Sequence, residues 1–319
     1  MIRALFVRNL TVFPDAYFQF GQGLNVITGD NGTGKTHLLK FLYSTLSSLY
    51  TARNSSFHKV PTKAAFGPYL SSKLFGMFGS EIIGHLVRRA KGVGRCDAVM
   101  NFVEFDCNYS LYISNVKKTE VVIDNLPLAW PRKEGAFVYI SAHEPISNTQ
   151  QTILVDTFHN TSGKQPGRDN LFAISEKLED IAGGKIEWDP VDGCFFFRDR
   201  NISSKHGRLD TSLAAGGSHI FAELARLIKD GAIPNSGCIF WDCPETGLSV
   251  SNIRKVAQVL VDLGDVGVQV FVVTHSLYLL GEIETFMSKA RGPSMYLFEL
   301  KRTEDGVIVQ QKPDLLIER

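Results

Sequence analysis

Three stretches of the chain are apolar without alternation: Leu24-Asn25-Val26-Ile27, Gly237-Cys238-Ile239-Phe240-Trp241-Asp242, and the β-branched run 268–273. Successive strand residues point to opposite faces, so an uninterrupted apolar run predicts a strand buried on both sides, as in a parallel sheet. Elsewhere the pattern changes. Residues 97–105, 110–113 and 119–123 alternate or cluster β-formers and predict an antiparallel subsheet. Helical periodicity marks 37–43, 171–181 (stopped by Gly183-Gly184) and 219–228, with helical pieces over 69–78 and 82–89. Residues 186–188 and 194–198 predict a hairpin whose Phe195-Phe196-Phe197 triplet packs in the core, and 296–300 with 307–310 predict a closing edge hairpin. The polar stretch 148–170 reads as a loop, mobile over 162–167. Heptads, internal repeats and low-complexity tracts are absent, so no coiled coil is expected.

The chemistry enters directly after the first apolar run. Residues 29–36 read Gly-Asp-Asn-Gly-Thr-Gly-Lys-Thr, the G-x-x-x-x-G-K-[ST] phosphate loop between a strand and a helix. Gly29, Gly32 and Gly34 let the chain curl so that backbone N–H groups converge, and the helix starting near Lys35 adds its positive end. Lys35 is placed to reach the β- and γ-phosphates and Thr36 to offer a hydroxyl to Mg²⁺. The second apolar run ends on Asp242, an acid delivered to the magnesium side. The third ends on Thr274-His275-Ser276, where His275 is placed to face the γ-phosphate.

In this order the three motifs resemble those of ABC-type ATPases, and more narrowly the SMC/RecF/OLD-like branch. The opening segment 2–10, Phe18-Gln19-Phe20, 23–29, the stretch 137–144 and Leu213-Ala214-Ala215-Gly216-Gly217 look like that branch too. The resemblance implies an α/β P-loop NTPase head with a mostly parallel core sheet, an antiparallel β subsheet and a small helical lobe. It implies one domain over 1–319, with a basic helical insertion at 51–96 and a signature-helix region at 205–235. It also implies ATP and Mg²⁺ as ligands. Nucleotide contacts then fall on Arg8, Asn9, Asn31, Gly32, Thr33, Gly34, Lys35, Thr36 and His37, and, across a dimer, on the partner copy's Gly216 and Gly217. Thr36, Asp242 and Glu144 take the metal side, while Asp242, Cys243, Glu245, His275 and Glu144 take the catalytic side.

Two departures change the expected activity. The family normally carries a glutamate after the magnesium aspartate to polarise the attacking water, and this chain has Cys243. A thiol is a poorer acceptor than a carboxylate, and its unperturbed pKa of about 8.5 leaves it mostly neutral. Glu245, in the Pro-Glu turn, substitutes only if the turn is reshaped. Ala214 and Ala215 stand where a signature serine is usual, leaving the Gly216 and Gly217 backbone to cap a phosphate. The expectation is a head that dimerises around ATP, hydrolyses it slowly and gates a separate effector, a nuclease or toxin, in bacterial anti-phage defence. The alternatives are an active ATPase in DNA repair or end processing and, less favoured, a transporter's nucleotide subunit.

Composition narrows the field. The 319 residues are 44% hydrophobic, enough for one large core or a core plus a lobe. A net charge of +1 gives no polycation character, yet residues 51–96 hold eight basic residues against Glu81 alone, so nucleic acid is a possible partner there. A solvated face of a helical lobe accounts for the same charge. Five cysteines, none in a C-x-x-C pair, fit a reducing cytoplasm better than a disulfide framework. No apolar run approaches the about 20 residues that span a bilayer, and neither a G-x-S-x-G elbow nor an H-E-x-x-H helix is present.

Overall fold

A computed structural model describes residues 1–55, 62–79, 82–88, 94–103, 108–115, 120–126, 135–141, 153–158, 168–189, 194–200, 208–210, 218–234, 237–288 and 295–313. The chain opens with β1 (Ile2–Leu10), β2 (Phe13–Gln19) and β3 (Leu24–Gly29), then α1 (Lys35–Ser55), α2 (Lys63–Phe78) and a 3-10 turn at Ile83–Leu86. It continues through β4 (Arg95–Phe102), β5 (Asn108–Ser114), β6 (Val121–Asn125), β7 (Gly135–Ile140), β8 (Ile153–Phe158) and α3 (Arg168–Ala182). After these come β9 (Gly184–Asp189), β10 (Cys194–Asp199), β11 (Arg208–Asp210), α4 (Ser218–Lys229) and β12 (Cys238–Asp242). The last elements are α5 (Val250–Asp265), β13 (Gln269–Val273), α6 (Leu277–Met287), β14 (Tyr296–Thr303) and β15 (Gly306–Pro313).

The seven-stranded sheet has the order β15-β14-β3-β13-β12-β7-β8, parallel from β14 to β7 and closed at both edges by an antiparallel strand. Its central strands bear out the apolar-run prediction, because each divides its side chains between two cores. On one face Ile27, Phe137, Tyr139, Cys238, Phe240, Phe271 and Val273 meet α1 and the antiparallel sheet. On the other, Leu24, Val26, Val138, Ile140, Ile239, Trp241, Val270 and Val272 meet α3, α4, α5 and α6. The stacked pair Phe240–Phe271, at 4.9 Å between ring centroids, fixes the register of β12 on β13.

The antiparallel subsheet also forms, with order β2-β1-β4-β5-β6. Gln269 ties it to the main sheet although the side chain is fully buried. Its Oε1 accepts from the Ile2 N–H at 2.9 Å, and its Nε2 donates to the carbonyls of Ile2 (2.7 Å) and Gly21 (2.8 Å). Each hydrogen-bonding atom of the amide thus has a partner.

Three details depart from the sequence reading. The stretch taken as a polar loop contains β8, which pairs antiparallel with β7 from Gly135↔Phe158 to Ile140↔Ile153. The expected helical piece at 82–89 is only a four-residue 3-10 turn, after which Val87 bridges to Leu10. Gly84 packs against the backbone of Ser114 and Asn115 there, leaving little room for a full helix. A third strand, β11, extends the β9/β10 hairpin. The 162–167 segment, Glu144, and Ala214, Ala215, Gly216 and Gly217 lie outside the described residues.

Candidate nucleotide-binding site

The parallel sheet delivers three chain segments to one end. β3 runs into residues 29–34 and α1, β12 ends on Asp242, and β13 ends before Thr274-His275-Ser276. Gly29, Gly32 and Gly34 all have positive φ, at 146°, 77° and 88°. At Gly34 a side chain would also collide with the β1–β2 connection, since an added Cβ would sit 2.6 Å from Val12 Cγ2 and 3.1 Å from the Phe13 ring. The loop therefore needs glycine for backbone conformation and for space. No acidic side chain occupies the first turn of α1, and the first N–H groups of a helix lack intrahelical partners, so this end suits an anion.

Within the loop, the buried Lys35 folds back so that Nζ donates to the carbonyls of Gly29 (2.7 Å) and Asp30 (2.8 Å). Burial lowers its pKa, and the neighbouring Cys243, Asp242 and Asp30 oppose that shift. Thr33 Oγ1 closes the turn on the Asp30 carbonyl at 2.8 Å. Thr36 donates its hydroxyl to Asp242 Oδ2 at 2.8 Å, joining residues 206 positions apart at the site where a hard cation needs oxygen ligands. A hydroxyl, a carboxylate, an ammonium and a glycine cradle fit Mg²⁺ and a polyphosphate.

Cys243 follows directly. Its backbone is left-handed (φ 49°), its N–H donates to the Val273 carbonyl, and its Sγ lies 3.6 Å from Asp242 Oδ1 and 3.7 Å from His275 Nδ1. Burial, then the neighbouring Asp242 and Glu245, push the thiol pKa up to about 12, with Lys35 opposing. Glu245 is buried, with Oε1 accepting from Thr274 Oγ1 at 2.6 Å and Oε2 without a partner among the described residues. His275 is exposed, and Ser276 caps α6 by accepting from the Leu279 N–H.

Other expected contacts are arranged differently. Arg8 pairs with Asp15 at 3.8 Å and lies over the Phe6 ring, while Asn9, left-handed at φ 55°, donates to the Arg95 carbonyl at 3.2 Å. These contacts belong to the antiparallel sheet; what touches the loop is the next turn, through Val12 and Phe13. His37 sits 5.4 Å from the Phe78 ring, and its pKa is lowered by desolvation and then by Lys40. Asn31 and Gly32 are exposed at the loop tip. β14 supplies contacts the sequence did not advertise: Arg302 Nη2 donates to the Gly32 carbonyl at 3.0 Å, and the Leu300 carbonyl lies 2.5 Å from where a Gly29 Cβ would stand. A cleft of about 420 Å³ opens beside them, lined by Thr11, Val12, His85, Arg88, Arg302 and Gly306 among others. Only the parallel pairing of β14 with β3 brings Arg302 to the loop.

Of the eight basic residues in 51–96, four have described side chains, and each has an intramolecular partner. Lys63 donates to the Asp124 carbonyl, Lys73 pairs with Asp156, Arg88 donates to the Asp305 carbonyl, and Arg95 pairs with Asp97 and Asp124. Among the described residues, no helix is long and apolar enough to cross a membrane.

A glycine cradle between a central parallel strand and a helix, with an acid on a neighbouring strand, is the arrangement of a P-loop fold. Residues 4–122 match the family model described as AAA domain. The fold matches an Smc head bound to the C-winged helix domain of ScpA, with TM-score 0.55, 11% identity, and 98% of this chain and 97% of that one covered. It equally matches an Smc head with an extended coiled coil, bound to the C-terminal domain of ScpA derived from Pyrococcus furiosus. There the TM-score is 0.55, the identity 11%, and the coverage 98% and 96%. No curated protein matches. In fold, the chain is similar to an SMC head.

Proposed function

We propose that this head binds Mg-ATP, closes with a second copy of itself around it, and works as a nucleotide-gated switch for a separate effector while hydrolysing ATP slowly. One observation carries the reading: Lys35, Thr36 and Asp242 are assembled at the loop, but the next position presents a buried thiol instead of a carboxylate. On binding, Lys35 exchanges the carbonyls of Gly29 and Asp30 for phosphate oxygens, and Thr36 with Asp242 holds the cation. Mg²⁺, when bound, neutralises phosphate charge. Arg302 braces the loop tip, and the cleft beside it takes the nucleoside end. Asn31, Gly32, Thr33, Gly34 and His37 complete the loop's reach, with Arg8 and Asn9 supporting from the adjoining sheet.

Closure with a second copy is supported by apolar side chains left on the surface where the helices after the two site strands begin: Val250 (64% exposed), Leu277 (82%) and Tyr278 (43%). Gly216, Gly217 and Glu144 are assigned to that closed state by the resemblance alone. Smc heads solved with ScpA domains support a protein partner for a head of this fold. A protein fits better than nucleic acid at 51–96, because the described cations there are already engaged. A nuclease or toxin held in anti-phage defence remains the biological assignment, by analogy with standalone heads.

Phosphate release with Mg-ATP tests the reading. Cys243→Glu is expected to raise turnover by about 10²-fold or more, the usual worth of a positioned acid–base group; equal rates would contradict it. A second reading, an active ATPase in DNA repair, is favoured by Glu245, whose unpartnered buried Oε2 is available to orient a water. Under that reading the unmodified chain turns over readily and Glu245→Gln stops it.

A further inference from the structure

The cluster beyond Asp242 has a second chemical meaning. Cys243 Sγ, a His275 ring nitrogen and a Glu245 carboxylate oxygen lie within 4.8 Å of one another. The three residues come from the ends of two adjacent parallel strands, and the left-handed backbone at Cys243 is associated with its sulfur standing 3.7 Å from the imidazole nitrogen. Zinc binds a thiolate at about 2.3 Å and an imidazole at about 2.1 Å, so a tetrahedral angle places those two atoms about 3.6 Å apart. Glu245 is 9% exposed, and its Oε2 has no hydrogen-bond partner among the described residues, a costly condition for a buried carboxylate. An exposed imidazole beside two buried ligands also gives an ion a way in.

We propose that Cys243, Glu245 and His275 form a binding site for one transition-metal ion of the zinc class, adjoining the magnesium side at Thr36 and Asp242 but made of different ligands. Thiolate, imidazole and carboxylate together select such an ion over Mg²⁺ or Ca²⁺, which take oxygen ligands. Three protein ligands leave a fourth position open, the arrangement of a zinc site that keeps a water. On binding, the Cys243 thiol gives its proton to solvent and its sulfur lone pair to the ion, with no change of oxidation state. The ion links the ends of β12 and β13, and it makes the γ-phosphate side of the site responsive to metal supply. The metal site itself stands apart from the nucleotide reading, whereas its effect on the γ-phosphate side rests on that reading.

The test is a Co²⁺ titration of the full chain without nucleotide, followed by absorbance. One equivalent is expected to produce a thiolate-to-cobalt charge-transfer band with tetrahedral d–d bands, bleached by one equivalent of Zn²⁺. Cys243→Ser should abolish the charge-transfer band. His275→Ala, at an exposed position that spares the fold, should weaken Zn²⁺ affinity by at least the about 10- to 100-fold that loss of even an outer-shell partner costs. No band in the unmodified chain would leave the 3.7 Å contact as a thiol–imidazole hydrogen bond and overturn the proposal. A band surviving in Cys243→Ser, or unchanged affinity in His275→Ala, would overturn it as well. Nucleotide binding can fail or succeed without touching either outcome.

Discussion

At the scale of single residues, conformation and side-chain chemistry separate two kinds of position. Gly34 is conformational: its φ of 88° and the 2.6 Å approach to Val12 exclude any Cβ. Gly34→Ala is therefore expected to weaken Mg-ATP binding by at least about tenfold, or 1.4 kcal/mol, while leaving the circular dichroism of the sheet intact. Unchanged affinity in a titration would show that the loop relaxes around a methyl group. Cys243 is chemical: on the proposed function it stands where a water-polarising carboxylate is expected, and a gain in turnover in Cys243→Glu is the outcome that function predicts. Identity at these positions was legible in the sequence, because Gly-x-x-x-x-Gly-Lys-Thr and the acid ending an apolar run are local signals. The turn of Cys243 toward His275 was not, because a left-handed φ at a non-glycine residue has no sequence mark.

At the scale of elements, the same contrast appears between buried and edge strands. β3, β12 and β13 were readable because burial on both faces demands unbroken apolar runs. β8 was missed because it is an edge strand, half-buried and flanked by polar residues, so its pattern is weak. Yet it carries Asp156, which accepts from Tyr43 Oη and Ser47 Oγ (2.7 Å) on α1 and pairs with Lys73 (2.8 Å) on α2. Lys73 also lies over the Tyr43 ring, 4.8 Å from its centroid. Burial, with Asp156 beside it, raises the Tyr43 pKa well above its usual value, so the phenol stays the donor. Asp156→Ala would strand a half-buried ammonium and two hydroxyls, and we expect a loss of about 2–3 kcal/mol in urea unfolding. A change within about 0.5 kcal/mol would mean that solvent replaces the carboxylate. The placement of β14 beside β3, and with it Arg302 at the loop, was likewise invisible, because strand order is a long-range property that local patterning does not encode.

At the scale of the molecule, the fold explains why one end of the sheet gathers the chemistry. Parallel strands all finish on the same side, so a phosphate loop, a magnesium-side acid and a histidine distant in sequence meet there. That end also exposes Leu277 and Val250, which a single head leaves in water. The proposed function joins these facts: on that reading nucleotide brings two heads together, and the missing carboxylate keeps them together. The most direct measurement is molar mass by static light scattering, followed over time after adding Mg-ATP to the unmodified chain. The mass should rise from 35.4 kDa toward twice that value and stay there for hours. A mass that never leaves the monomer, or that rises and falls back within minutes as ATP is consumed, would contradict it.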